Sequence, residues 1–199
     1  MKLFFFFGDS ITLGVNDPQG GGWAGRFASA GAGLPGMPVP PTTFYNLGVR
    51  KQSSRLIAGR WEAEYDQRSL SDADSHLIFC FGTVDMAAPT GTPLMSVQDS
   101  VATAREILLP ASQKGSVLLL CPPPVLQEAH RERLGKLADA YVSLCDSMNI
   151  PCLNLFENLK NSEAFLNDLS DGVHPGAIGN ALMADLLLQC PTVQTWMTR

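Results

Sequence analysis

The sequence lacks the features that mark several large classes of protein. No apolar run approaches the ~18 residues that a membrane-spanning helix requires, and the 18 glycines and 14 prolines follow no repeat. Only 17% of the 199 residues are charged, the net charge is −5, and no basic block occurs. A nucleic-acid partner therefore has little electrostatic support. The hydrophobic content of 45% excludes a disordered chain and is ample for a folded core.

The cysteines give no sign of a disulfide framework. Their number is odd and no CxxC pair occurs, which is typical of buried free thiols in a reducing compartment. The apolar start, Leu3–Phe7, is shorter than the ~7–15 residues of a signal-peptide core, and no small-residue cleavage site follows it. We therefore expect a cytoplasmic protein with reduced cysteines, which are Cys80, Cys121, Cys145, Cys152 and Cys190.

Short apolar runs alternate with longer helical patterns along the chain. Such runs are typical of strands buried on both faces of a parallel sheet. The length predicts a single domain over residues 1–199. The alternation predicts an α/β fold, a three-layer α/β/α sandwich with about five parallel strands. The expected strands are Leu3–Phe7, Thr43–Leu47, His76–Phe81, Ser116–Cys121 and Pro151–Leu155.

Apolar residues that recur at spacings of three and four predict the helices. The remainder of the Gly- and Pro-rich segment 20–41 is expected to be loop, and the tail Pro191–Arg199 a loosely attached end. The expected helices are Gln127–Met148, Ser96–Leu109, Gly176–Leu188, Ser53–Tyr65 and a short one around Trp23–Ala30.

Polar residues and glycines concentrate directly after the expected strands. In an open α/β sheet, ligands bind at the carboxyl ends of the strands, so the chemistry is expected there. Ser10 follows the first strand in the sequence Gly-Asp-Ser-Ile-Thr, where its hydroxyl would stand above the sheet. A serine hydroxyl is a weak nucleophile until a base removes its proton.

The three histidines of the chain are the candidates for that base. His76 opens an apolar strand and would lie at the wrong end of the sheet, and His130 lies in a charged stretch that predicts a solvated helix position. His174 precedes the last expected helix, and Asp171 is three residues upstream, close enough in a tight turn to orient the imidazole. Ser10, His174 and Asp171 would supply a nucleophile, a base and an orienting carboxylate.

Each of these motifs is weak when it is taken alone. A Gly-Asp-Ser tripeptide usually forms a turn or a helix cap, and Asp-x-x-His can simply cap the final helix. The Gly-x-Ser-x-Gly elbow of α/β-hydrolases is absent. A flavodoxin-like nucleotide binder would need a Gly-x-Gly-x-x-Gly or Walker A run directly after the first strand, and neither follows it. No cluster has metal-ligand spacing, so we expect no metal site.

Four blocks in order resemble the motifs of the GDSL, or SGNH, hydrolase family, and they span nearly the whole chain. The resemblance implies a flavodoxin-like sandwich and a serine hydrolase that cleaves carboxylic esters or thioesters of small molecules through an acyl-enzyme. It also implies that no cofactor is needed. The blocks are Gly8–Thr12, Asn46–Arg50, Gly82–Asp85 and Asp171–Pro175.

The resemblance assigns a role to individual residues of these blocks. Ser10 is expected to be the nucleophile, His174 the general base and Asp171 the residue that fixes the imidazole tautomer. The main-chain N–H groups of Ser10 and Gly48 are expected to form the oxyanion hole.

Val84 departs from the family pattern. That position is normally an asparagine whose side chain helps to bind the oxyanion, and the loss of one such donor costs about 10²–10³ in rate. Thr83 or a nearby side chain could substitute, although alternation along the chain predicts that Thr83 points the other way. Because Ser10, Asp171 and His174 are intact, we expect a working but slow enzyme. The alternatives are a carbohydrate O-deacetylase and a non-catalytic binding module.

The expected pocket is small and largely apolar, which favours a short or medium acyl group or an aromatic ester. Asp9 and Asp85 are expected to brace their loops, Arg50 to meet an anionic leaving group or a surface acid, and Trp23 to line the cleft or pack beneath the Gly-rich loop. The residues expected at the pocket are Asp9, Thr83, Val84, Asp85, Met86 and Pro123.

Overall fold

The structure is a computed structural model, and it describes residues 1–32, 34 and 42–198. Within these residues the chain forms five strands and ten helices. The strands are β1 (Lys2–Gly8), β2 (Thr43–Gly48), β3 (Asp74–Cys80), β4 (Ser116–Leu120) and β5 (Cys152–Leu153). The helices are α1 (Ser10–Leu13), α2 (Gly22–Gly31), α3 (Ser54–Ala58), α4 (Trp61–Asp66), α5 (Val97–Lys114), α6 (Glu128–Met148), α7 (Leu155–Leu159), α8 (Glu163–Asn167), α9 (Ala177–Gln189) and α10 (Pro191–Thr198).

The strands form one parallel sheet in the order β2-β1-β3-β4-β5. Gly8 at the end of β1 lies opposite Gly48 of β2 and Cys80 of β3, so the three strands end level with one another. The loops that follow these strands therefore meet at one edge of the sheet. The predicted five-stranded parallel α/β fold is confirmed.

The first strand shows why the sheet is covered on both faces. Successive side chains of a strand point to opposite faces, so Phe4 and Phe6 enter one core and Phe5 and Phe7 the other. All four are at most 1% exposed. Helices α4, α5 and α6 cover the Phe5 face, whereas α2, α9 and α10 cover the Phe4 face. This is the predicted three-layer arrangement.

Two helices differ from their predicted bounds. The helix predicted over Ser96–Leu109 continues through Pro110 to Lys114, since Ala111 is buried in the core and offsets the hydrogen bond that proline cannot make. The helix predicted over Ser53–Tyr65 is divided into α3 and α4.

The division between α3 and α4 lies at Gly59 and Arg60, and Arg60 gives its cause. The Arg60 guanidinium donates hydrogen bonds to the carbonyl oxygens of Gly8 (3.1 Å) and Leu47 (2.9 Å). It thereby binds carbonyl groups at the carboxyl ends of β1 and β2, and the Gly8 carbonyl also accepts the main-chain N–H of Val49 at 3.1 Å.

The prediction of a loosely attached tail at Pro191–Arg199 is wrong for the residues that the structure describes. Pro191–Thr198 forms α10, which buries Val193, Trp196 and Met197. The Trp196 ring stacks on the His76 ring at 4.8 Å between centroids. Three apolar side chains on one face are enough to fix this short helix against the sheet.

Part of the predicted loop, residues 33 and 35–41, lies outside the described residues. The short helix predicted around Trp23–Ala30 is present as α2. Among the described residues, no helix is both long enough and apolar enough to cross a membrane.

Candidate active site

Ser10 owes its position to a tight turn at the end of β1. Asp9 caps α1, since its Oδ1 accepts a hydrogen bond from the main-chain N–H of Ile11 at 2.8 Å. A Cβ at Gly8 would lie 2.1 Å from the Thr12 Oγ1 and 2.2 Å from the Cys80 carbonyl oxygen, so only glycine fits there. The turn places Ser10 at the first position of α1, above the carboxyl edge of the sheet.

The Asp-x-x-His segment forms its own hydrogen-bonded turn. The Asp171 Oδ1 accepts the main-chain N–H groups of Val173 (2.9 Å) and His174 (2.8 Å). Gly172 between them has φ +83°, a conformation that side chains disfavour. The turn brings the Asp171 Oδ2 to 2.7 Å from the His174 Nδ1.

Ser10, His174 and Asp171 form a continuous chain of hydrogen bonds. The Ser10 Oγ lies 2.8 Å from the His174 Nε2, although the two residues are 164 positions apart in the sequence. An ionised carboxylate can only accept, so the His174 Nδ1 carries a hydrogen and donates it to Asp171. In neutral imidazole the Nε2 is then the acceptor, and the Ser10 hydroxyl donates to it.

The carboxyl of Asp171 is held in its ionised form. Its burial raises the pKa, but the hydrogen bonds from the main-chain N–H and ring of His174 and from the Val173 N–H outweigh that effect. The resulting pKa is about 2, below the ordinary value of 3.8. A negative charge therefore faces the imidazole across the whole neutral pH range.

The two other carboxyl groups near Ser10 brace the turns rather than line the cleft. Asp9 is 1% exposed and Asp85 is fully buried. The Asp85 Oδ1 accepts the main-chain N–H of Ser54 at 2.8 Å and so joins the third block to the start of α3. Burial, together with a smaller effect of the neighbouring Asp85, raises the pKa of Asp9 from 3.8 to about 7 against the opposing hydrogen bond from the Ile11 N–H.

The Gly48 N–H donates a hydrogen bond to the Asn46 Oδ1 at 3.1 Å, so an oxyanion would have to replace Asn46 as its acceptor. The role of Gly48 in an oxyanion hole stays a prediction. A Cβ at Gly48 would lie 2.2 Å from the main-chain nitrogen of Leu13, so glycine is required for the close packing of β2 against α1. The Asn46 Nδ2 donates to the Thr12 carbonyl at 2.9 Å and ties the same two segments together.

Lys51, three residues after Gly48, reaches the cleft. It lines the cavity beside Ser10 and His174, and its φ of +61° lies in the left-handed region that non-glycine residues rarely adopt. No sequence pattern predicted this residue, because nothing in the local pattern requires a lysine with positive φ.

The cleft above Ser10 has a volume of about 670 Å³. Of the residues predicted at the pocket, Thr83 and Val84 line it. Met86 is instead 1% exposed and packs in the core, and Pro123 is buried behind the loop that it shapes. The lining residues are Ser10, Lys51, Thr83, Val84, Ala87, Ala88, Pro89, Leu94, Gln127, His130, Val173 and His174.

His130 lines the cleft, and the prediction of a solvated position is wrong. It is 7% exposed, and its Nε2 lies 2.9 Å from the carbonyl oxygen of Thr83. The Arg133 Nε donates to the Met86 carbonyl at 2.8 Å one turn later on α6. The charged neighbours of His130 face solvent, whereas His130 and Arg133 hold the loop that carries Val84.

The remaining candidates lie away from the cleft. His76 is buried at the amino end of the sheet between the rings of Phe4 and Trp196. Trp23 is fully buried and packs edge-to-face on Phe6, beneath the Gly-rich segment. Arg50 is exposed and does not line the cleft. Among the described residues, no group of three or more His, Cys, Asp or Glu side chains is placed to hold a metal ion.

Comparison with known proteins relates both the sequence and the fold to ester-cleaving enzymes. The model of the GDSL-like lipase/acylhydrolase family matches residues 6–182. A comparison with curated proteins gives no match.

Several solved structures share the fold at low sequence identity. A member of the lipolytic protein G-D-S-L family from Veillonella parvula DSM 2008 is 21% identical, with 96% of this chain and 99% of that chain covered and a TM-score of 0.77. The lipase/acylhydrolase from Enterococcus faecalis is 20% identical, with 98% and 97% covered and a TM-score of 0.74.

An acetylxylan esterase from Geobacillus stearothermophilus is 18% identical, with 100% of this chain and 96% of that chain covered and a TM-score of 0.77. Catalytic mutants of that esterase, in which a serine, an aspartate or a histidine is replaced by alanine, also match.

Proposed function

Because this chain belongs to the GDSL-like lipase/acylhydrolase family, a family of ester hydrolases, we propose that it cleaves small carboxylic esters or thioesters through an acyl-serine intermediate. One observation carries the proposal. The Ser10 hydroxyl, the His174 imidazole and the Asp171 carboxylate form an unbroken chain of hydrogen bonds at 2.8 and 2.7 Å.

The geometry supports a two-step reaction. As the Ser10 Oγ attacks the acyl carbon, its proton passes to the His174 Nε2, and the imidazolium that forms is stabilised by Asp171. His174 then returns the proton to the leaving alcohol or thiol. Water, deprotonated by the same imidazole, attacks the acyl-enzyme and releases the acid and free Ser10.

The oxyanion that forms in each step needs hydrogen-bond donors. The main-chain N–H of Ser10 is free for this role, because the first N–H groups of a helix have no partner within it. Gly48 and Lys51 are our candidates for the second main-chain donor: the Gly48 N–H would exchange its hydrogen bond to Asn46 for one to the oxyanion, and Lys51 lines the cleft. Val84 supplies no donor, so we propose an enzyme with a weakened oxyanion hole and a low turnover.

The walls of the cleft support small, largely apolar substrates. Val84, Ala87, Ala88, Pro89 and Val173 present hydrocarbon to the space above Ser10. Apolar walls with a few placed polar groups are typical of small-molecule sites. A short or medium acyl group or an aromatic ester fits this lining better than a polar sugar does.

Two alternatives remain distinguishable by experiment. A carbohydrate O-deacetylase is suggested by the shared fold of the acetylxylan esterase, and a panel of acetylated sugars tests it. A non-catalytic binding module is suggested by Val84, but the hydrogen-bonded Ser10–His174 pair argues against it. A fluorophosphonate probe separates these cases, because it labels an activated serine and leaves an inert one unmodified.

The first experiment is hydrolysis of p-nitrophenyl esters, from acetate to long acyl chains, by the wild type and by Ser10→Ala. We expect the wild type to prefer short or medium chains and Ser10→Ala to lose at least about 10³-fold in kcat. Ser143→Ala removes an exposed α6 hydroxyl that bonds its own helix, and serves as the control. Retention of wild-type activity by Ser10→Ala would contradict the proposal.

A further inference from the structure

The cleft above Ser10 continues into a second cavity. This cavity has a volume of about 360 Å³ and shares three lining residues with the cleft: Lys51, Val84 and Leu94. The two spaces therefore form one groove, which runs from Ser10 past Val84. A substrate group longer than the cleft would extend into the second cavity.

The second cavity differs in chemistry from the cleft. Leu56 and Leu94 contribute apolar surface to it, and each is 56% exposed because none of the described residues covers it. Lys51 and Arg55 add two positive charges to the same cavity. Lys51 lines both cavities and Arg55 lines only the second, so the positive charge of the groove increases from the cleft to the second cavity.

The positive charges are not neutralised within the part of the chain that the structure describes. No ion pair there involves Lys51 or Arg55. One carboxylate, that of Asp99, also lines the cavity, but its Oδ2 accepts the Ser96 hydroxyl at 2.7 Å and its main-chain N–H bonds the same hydroxyl. Asp99 lies beyond 4 Å from both cationic groups, so the cavity keeps an excess of positive charge.

We propose that this second cavity is a subsite for a negatively charged group, and that the preferred substrates are esters or thioesters whose non-reacting end carries a carboxylate or a similar anion. This inference rests on the proposed function. The apolar part of the substrate would contact Val84 and Leu94, and its anionic end would bind Lys51 and Arg55. Arginine suits this role because its guanidinium binds a carboxylate through two parallel hydrogen bonds.

The charge of the whole protein makes this local excess informative. The net charge is −5, so the molecule as a whole repels anions. A site that selects an anion on such a protein must place cations along the groove that the substrate occupies. Lys51 and Arg55 do so, whereas Arg50, which is exposed in the same segment, lines neither cavity.

The test compares two esters that differ in charge and have the same number of acyl carbons. The mono-p-nitrophenyl ester of adipate ends in a carboxylate, and p-nitrophenyl hexanoate ends in a methyl group. We expect the wild type to have at least about tenfold higher kcat/KM for the adipate ester, mostly through KM, and the ratio to fall as salt screens the charges. The rate of Ser10→Ala is subtracted as background.

The variants locate the charge recognition. We expect Arg55→Gln and the double variant Lys51→Gln/Arg55→Gln to bring the adipate-to-hexanoate ratio towards one. Arg50→Gln is the matched control and should keep the wild-type ratio. A second pair, 4-acetoxybenzoate and phenyl acetate, places the carboxylate on the alcohol side. A preference in either pair that depends on Arg55 supports the subsite and shows which side of the scissile bond occupies it.

Three outcomes overturn the inference. Equal kcat/KM for the anionic and neutral members of both pairs would show that the groove does not distinguish charged from neutral substrates. A preference that survives in the double variant would place the recognition elsewhere. Failure of the wild type to cleave any ester, neutral or anionic, would instead overturn the proposed function, and the inference with it.

Discussion

Val84 lies in the cleft beside Ser10 and has a hydrocarbon side chain at the position where the family resemblance implies an asparagine donor to the oxyanion. We predict that Val84→Asn raises kcat for p-nitrophenyl esters, by as much as about 10²-fold if the amide reaches the oxyanion. Steady-state kinetics on the ester that the wild type prefers will measure the gain.

Val84→Leu is the control for the size of the new side chain, because leucine has nearly the shape of asparagine and has no hydrogen-bond donor. We expect Val84→Leu to give no gain. If Val84→Asn folds correctly and is no faster than the wild type, the missing donor is already replaced by another group of the cleft.

The residues that the sequence predicted best are those whose geometry is local. Asp171 and His174 are joined by a turn that their own four-residue segment forms, and Ser10 directly follows a strand that its own apolar run predicts. The prediction for His130 was wrong because its position depends on a distant partner, the carbonyl of Thr83. The need for glycine at position 48 also comes from a distant segment, since a Cβ there would meet Leu13 of α1.

The last helix shows the same limit at the level of an element. The sequence of α10 is short and mixed in polarity. Its apolar side chains stabilise the helix only because they pack on the sheet surface beneath them, and this surface is not visible in the local sequence. The long helix α6 and the strand β1 were predicted to within one residue at each boundary, because their apolar patterns can be recognised without knowing which elements they pack against. Local periodicity therefore predicts the central elements better than the peripheral ones.

We predict that Trp196→Ala destabilises the protein by about 3 kcal/mol, because it removes a large buried ring and its stacking on His76. Urea unfolding will measure the change. Trp196 lies at the end of the sheet opposite Ser10, so ester hydrolysis by the folded variant should stay close to wild type.

Two further variants on α10 sharpen this prediction. Trp196→Phe keeps an aromatic ring against His76 and should lose less stability than Trp196→Ala. Gln194→Ala alters an exposed position of the same helix and should change the free energy of unfolding by less than about 0.5 kcal/mol. Equal losses in all three variants would mean that α10 is weakened by any substitution rather than by loss of the stacked ring.

Across the whole molecule, two buried titratable groups at opposite ends of the sheet act on stability in opposite directions. Burial raises the pKa of Asp9 to about 7 from 3.8, so the folded state holds the proton more tightly than the unfolded state. The contribution of Asp9 to the free energy of unfolding is fully present below pH 3.8 and is lost as the pH rises through 7.

His76 has the reverse effect. Burial, together with a smaller effect of Lys2, lowers its pKa from 6.5 to about 4, and Asp74 opposes this change. The folded state therefore prefers neutral His76. Its contribution is present above pH 6.5 and is lost as the pH falls through 4. The contribution of Asp171, whose pKa is about 2, changes only below pH 3.8.

We predict that the effects of Asp9 and His76 on the pH dependence of the free energy of unfolding partly cancel between pH 4 and 6.5 in the wild type. Asp9→Asn leaves the effect of His76, so its free energy of unfolding should fall as the pH is lowered from 6.5 to 4. His76→Phe leaves the effect of Asp9, so its free energy of unfolding should rise over the same range. Urea titrations at four or five pH values measure both slopes. Parallel profiles for the wild type and both variants would contradict this linkage.

The two cores that flank the sheet draw residues from both halves of the chain. We therefore propose that residues 1–199 fold as a single domain. The family match over residues 6–182 is in keeping with this proposal.

The parallel strands also place the Ser10 cleft at one pole of the molecule and the two ends of the described chain at the other. All five strands start at one end, and the chain near residues 1 and 198 lies at that end, next to His76 and Trp196. The length of β1 puts about 20 Å of sheet between this pole and Ser10. A label, a fusion partner or a solid support attached at either end of the described chain would leave the mouth of the cleft unobstructed, so the immobilised protein should meet its substrates as the free protein does.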